Sequence, residues 1–196
     1  DGVGAGGDEG QIIYKIENNV KSPCISGQVN KAVDSQFKNQ ITSLINSAFG
    51  ESEKFDIILE DNNLNDNSLD GVTGISFTET VMTFTITLNS EVLTSSSQEY
   101  ILAVVFHELL HAYMGHLGID KSSISIDHEN MANNYLNMLS KALMEHYSIS
   151  GTNANYLAWG GLHESSKWGQ LSQDQKNQIL QTNHEYRSGV KGVKCK

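Results

Sequence analysis

Val105-Phe106-His107-Glu108-Leu109-Leu110-His111-Ala112 is the stretch whose reading decides this chain. On an α-helix residues four apart lie one above the other, so His107 and His111 can turn imidazole nitrogens toward a single metal ion. Glu108 is too close to His107 to be the usual third ligand, but it is placed to take a proton from a water that zinc has made acidic. The helix itself is well signalled. Tyr100 to Phe106 is almost wholly apolar, Ser95, Ser96 or Ser97 offers an N-cap, and Glu99 falls in the first turn. Gly115 and Gly118 give the helix places to stop. Two imidazoles and a carboxylate on a buried helix would be costly without partners, which favours a zinc hydrolase over a metal-free amphipathic helix.

A catalytic zinc takes three protein ligands and leaves a fourth position to water, so one ligand must come from elsewhere. His116 lies five residues beyond His111 and points away on a continuing helix. A metzincin would carry Gly and His where this chain has Met114 and Leu117, which disfavours that pattern. Asp127-His128-Glu129 opens the next helical segment and holds two competitors. His128 gives a three-His site, with Asp127 as helix cap or orienting partner, and is preferred. Glu129 with Asn133 echoes the Glu-x-x-x-Asp pattern of gluzincins, and whichever residue loses is read as a solvated first-turn charge. His163, after Gly160-Gly161, is held in reserve, while His146 and His184 read as surface or structural residues.

Outward from the motif, Met82, Phe84, Ile86 and Leu88 alternate with Thr83, Thr85 and Thr87, the signature of a strand with one buried face. Phe55 to Leu59 reads as a buried strand and Ile12 to Ile16 as a short one. Apolar spacing from Gln28 to Phe49 predicts one helix ending at Gly50, and Glu60 to Gly74 reads as an Asn/Asp-rich loop. Within that loop Asp66 to Gly71 copies the opening of a calcium loop, but Phe77 stands where a bidentate Glu should close it, so a turn is expected. Asp127 is expected to cap a helix running to about His146, and a last helix covers Ser172 to about Tyr186. The sum is an α+β fold: a small mixed sheet, the motif helix, and further C-terminal helices. The Met82–Leu88 strand is expected at the sheet edge, offering its backbone to an extended peptide. Tyr113, Tyr135 and Tyr156 are unranked candidates for stabilising the oxyanion.

The 196 residues, 38% hydrophobic and 18% charged, suit a single domain over residues 12–196. Residues 1–11, half glycine, read as a flexible linker to something upstream. A formal charge of −10 and a pI near 5.0, with no basic stripe, argue against nucleic acid or an anionic membrane surface as partner. No apolar run approaches the roughly 18 residues that would span a membrane. Cys24 and Cys195 read as free thiols, or as a disulfide if the protein is secreted.

Three runs carry a family resemblance: His107-Glu108-Leu109-Leu110-His111-Ala112-Tyr113, Asp127-His128-Glu129-Asn130-Met131-Ala132, and Ala158-Trp159-Gly160-Gly161-Leu162. Together they resemble the minimal SprT-like zincin metallopeptidase domains found at the C-terminal ends of long secreted polymorphic toxins of bacteria. The resemblance covers about Tyr100 to the end. It implies a zincin-like fold, Zn2+ held by His107, His111 and His128, Glu108 as the catalytic base, and a protein or peptide substrate. It further implies delivery from a bacterial cell as part of a longer chain, and a cognate immunity protein as partner. An intracellular bacterial setting and a non-catalytic, zinc-stabilised binding module are the alternatives.

Overall fold

The computed structural model describes residues 16–37, 39–50, 52, 54–118 and 124–195. The glycine-rich opening lies outside these residues, as does most of the strand expected from Ile12, whose last residue opens β1 (Ile16–Asn18). There follow α1 (Pro23–Val33), α2 (Gln40–Phe49), β2 (Phe55–Asn62), β3 (Gly71–Phe77), β4 (Met82–Asn89) and the single turn α3 (Ser90–Leu93). The motif helix is α4 (Gln98–His116), and α5 (Ile124–Asn130) runs through a π-helical turn at Met131–Tyr135 into α6 (Leu136–His146). The chain closes with α7 (Gly151–Ala158), α8 (Ser166–Gln170) and α9 (Gln173–Arg187). Among the described residues, no helix is long and apolar enough to cross a membrane.

The fold is mixed α+β, with one four-stranded sheet in the order β1-β2-β4-β3. β1, β2 and β4 are parallel and β3 is antiparallel to β4. The alternation read for β4 holds: Phe84, Ile86 and Leu88 are fully buried, and Ile57 and Leu59 of β2 join them in the core. The strand's position does not. β4 lies inside the sheet between β2 and β3, and β3 forms the edge. The segment expected to be loop from Glu60 to Gly74 thus contains the end of β2 and the start of β3. Gly71, Thr73, Gly74 and Ser76 leave β3 no apolar alternation of its own, so its strand character comes from pairing with β4 rather than from propensity.

The single helix expected from Gln28 to Phe49 is two. Asp34 takes an extended backbone conformation (φ −66°, ψ 112°) and ends α1, while the Asn39 side chain accepts from Thr42 N at 2.8 Å and starts α2. α1 also begins earlier than expected, with Pro23 in its first turn, where a missing N–H costs nothing. α4 behaves as read. Ser97 caps it by accepting from Tyr100 N at 3.2 Å, and the chain leaves it through Gly118 at φ 70°. Asp127 is not a helix cap, because α5 already spans Ile124 to Asn130.

Cys24 and Cys195 are paired, with Cα atoms 5.6 Å apart, so the free-thiol reading gives way to the disulfide. The bond ties α1 to a C-terminal segment that runs beside the start of α4. There Gln98 N donates to Val193 O at 2.7 Å, and Val193 N donates to the buried Glu99 carboxylate at 2.9 Å.

Candidate metal centre

His107 and His111 lie one turn apart on α4 with their Nε2 atoms 3.2 Å apart. His128 reaches them from α5, its ring centroid 5.4 Å from that of His107 and 5.3 Å from that of His111. One potential ligand atom from each of the three lies within 4.8 Å of the others. Burial pushes His107 well below the usual imidazole range, and the neighbouring His111 and His128 add to this. Burial lowers His128 as well, against the pull of Glu164 and Asp127. Neutral imidazoles keep the lone pair that a metal needs.

His111 Nδ1 lies 3.1 Å from Asp127 Oδ2, and with the proton on Nδ1 the Nε2 atom is the potential ligand. With the His107 proton likewise on Nδ1, both Nε2 atoms would face one cation. Ligand atoms about 2.0–2.1 Å from one tetrahedral ion would stand about 3.3 Å apart, close to the separation found. The set of three imidazoles therefore fits a divalent transition metal of the zinc type.

Glu108 is 6% exposed and opens into the same cavity. Burial raises its carboxyl to about 7, opposed by a hydrogen bond from Thr73 and reinforced by the charge of Asp70. The Thr73 hydroxyl donates to Glu108 Oε2 at 2.7 Å. Glu129 faces elsewhere. Its carboxylate accepts from Ser166 N and Ser166 Oγ, each at 2.6 Å, and from Asn133 Nδ2 at 2.8 Å, contacts that hold its carboxyl below the usual range.

The remaining histidines are not part of the three-residue group, although His163 lies near enough to His128 that burial and then the His128 charge lower its imidazole. His116 packs on Phe55 at 4.4 Å, His146 on Phe37 at 4.0 Å, and His163 on Trp168 at 4.3 Å. His184 borders a separate small cleft with Arg187. Tyr113, Tyr135 and Tyr156 do not line the cavity; the Tyr156 hydroxyl donates to Gln178 at 2.7 Å. Asp66 accepts from Ser68 N at 2.8 Å, making the turn that its sequence suggests.

The cavity holds about 550 Å³. Its lining includes Leu69 to Thr73, Tyr100, Ala103 and Val104 of α4, and Leu139, Leu157 and Ala158. At one end Asp70 accepts from the Tyr100 hydroxyl at 2.7 Å and from Arg187 Nε at 2.8 Å. These contacts join residues far apart in sequence, and no local pattern announces them. Gly161 did carry a signal, through the Gly160-Gly161 pair. At φ 79°, a Cβ placed on it would stand 2.7 Å from His107 Cε1, so this loop closes over the imidazole only as glycine. Comparison of the chain with family models, with curated proteins and with solved structures finds no match.

Proposed function

We propose that the chain is a zinc-dependent metallopeptidase of zincin-like fold that hydrolyses peptide bonds. One observation carries the reading: three imidazoles from two helices meet within ligand distance of one another, and a buried carboxylate, the neighbour of the first, opens into the same cavity. His107, His111 and His128 would hold the ion. Bound there, zinc supplies a Lewis acid that polarises a carbonyl and lowers the pKa of a water. Glu108 takes the proton from the attacking water and delivers it to the leaving amine. Asp127 fixes the His111 ring through Nδ1.

β3, at the sheet edge and packed against α4, is the strand positioned to pair with an extended peptide, in the role expected of β4. The largely apolar cavity beside it accepts a substrate side chain. The paired Cys24 and Cys195 accord with a secreted domain, and the toxin resemblance implies delivery from a bacterial cell with a cognate immunity protein as partner.

Elemental analysis and cleavage of an unfolded protein such as casein test the proposal on wild type and Glu108→Gln. The variant should keep one zinc per chain and lose activity by about 10³-fold or more, since it removes the base and leaves the ligands. A Glu108→Gln variant that cleaves like wild type would refute it. A zinc-loaded wild type that cleaves nothing would leave the non-catalytic module.

A further inference from the structure

We propose that Thr73 is a positioning residue for Glu108: from strand β3 its hydroxyl fixes one carboxylate oxygen and leaves the other free for proton transfer. The inference rests on the hydrolase reading of the site. Side chains alternate along a strand, and pairing sets Gly71 opposite Leu88 and Thr73 opposite Ile86, both buried core residues. Gly71 and Thr73 thus share the inward face of β3, above α4. Thr73 Oγ1 lies 2.7 Å from Glu108 Oε2 and 3.2 Å from the Glu108 carbonyl oxygen. A hydroxyl carries one proton, and the shorter contact is the one that aims the carboxylate.

Gly71 shapes the other side of the same seat. A Cβ there would stand 3.1 Å from Glu108 Oε1 and 3.0 Å from its Cγ, so a side chain at this position would push the carboxylate aside. Among the described residues, Thr73 is the hydrogen-bond donor to this carboxylate. Its β-branched χ1 is stiff, so the hydroxyl is held in place before the carboxylate arrives. A buried carboxylate with a single neutral donor keeps a defined rotamer and an unblocked second oxygen, which is what a proton acceptor facing water requires. The pattern Gly71-Val72-Thr73 on an edge strand therefore acts on the reaction through Glu108 rather than by touching substrate.

Thr73→Val keeps the shape and removes the hydroxyl, while Thr73→Ser restores it. With labelled casein as probe, Thr73→Val should hold one zinc per chain, lose about 10- to 100-fold in kcat and keep KM within about threefold. Thr73→Ser should recover to within about threefold of wild type. Wild-type kcat in Thr73→Val, or Thr73→Ser as slow as Thr73→Val, would overturn the proposal. A double-mutant cycle on unfolding of the metal-free protein reads the contact without catalysis. Thr73→Val should lower the folding equilibrium constant about tenfold more in the Glu108 protein than in Glu108→Ala. Equal effects in both backgrounds would overturn the proposal even if wild type cleaved nothing, an outcome that by itself sinks only the hydrolase reading.

Discussion

Glu108 pays for its position in stability. A carboxyl that titrates near 7 in the fold and near 4.5 in the unfolded chain favours the fold most when protonated. Its contribution to stability therefore falls as pH rises from about 4.5 to about 7, and stays low above that. Replacing it with Gln removes the buried charge while leaving an oxygen for Thr73 to donate to. In the metal-free protein Glu108→Gln should be more stable than wild type by about 1–3 kcal/mol at pH 8, with the gain shrinking toward pH 5. Urea unfolding in chelator at both pH values measures this, and a Gln variant less stable at pH 8 would show that the carboxylate is not desolvated. At this scale the sequence was most legible, because spacing on one helix fixes how His107, Glu108 and His111 stand to one another. His128 over Glu129 was a preference between neighbours about 100° apart on a helix, and the structure turns Glu129 to Ser166 and His128 to the cluster. Thr73 and Asp70 were invisible, since their partners Glu108, Tyr100 and Arg187 are remote in sequence and carry no pattern.

Elements with their own periodicity were legible and those defined by partners were not. α4 and β4 announce themselves through apolar runs and alternation, and both fall where expected. β3 has two glycines and two hydroxyl residues in seven positions, and only its ladder with β4 makes it a strand. The same missing strand explains why β4 was expected at the edge. The break at Asp34 was hidden because apolar spacing continues across it from Val33 to Ile41, whereas the Asn39 cap marks a true helix start. The loop between α7 and α8 makes a prediction at this scale. Gly161→Ala forces a Cβ against the His107 ring and a side chain into a positive φ, so it should weaken zinc binding at least tenfold and destabilise the fold by about 1–3 kcal/mol. Zinc titration and denaturant unfolding check both, and wild-type affinity in Gly161→Ala would show that the loop is free to move away.

For the whole molecule, the disulfide closes nearly the entire described chain, its partners lying 171 positions apart. A loop of that size confines the unfolded chain strongly, by about 5 kcal/mol in the chain-entropy treatment, and measured effects are commonly about 2–4 kcal/mol. Cys24→Ser with Cys195→Ser should therefore lose about 2–5 kcal/mol in denaturant unfolding, and no loss would mean that the thiols are not paired in solution. The sequence offered both states of these cysteines because pairing depends on how the ends of the fold meet. Element order made the α+β class legible, while strand order had to come from three dimensions. The central claim is that one metal ion joins α4 to α5 through His107, His111 and His128. Elemental analysis of wild type, His128→Ala and Glu129→Ala purified side by side tests it most directly. One zinc per chain is expected in wild type and in Glu129→Ala, and its loss in His128→Ala. Metal-free wild type, or zinc lost with Glu129 and kept without His128, would contradict it.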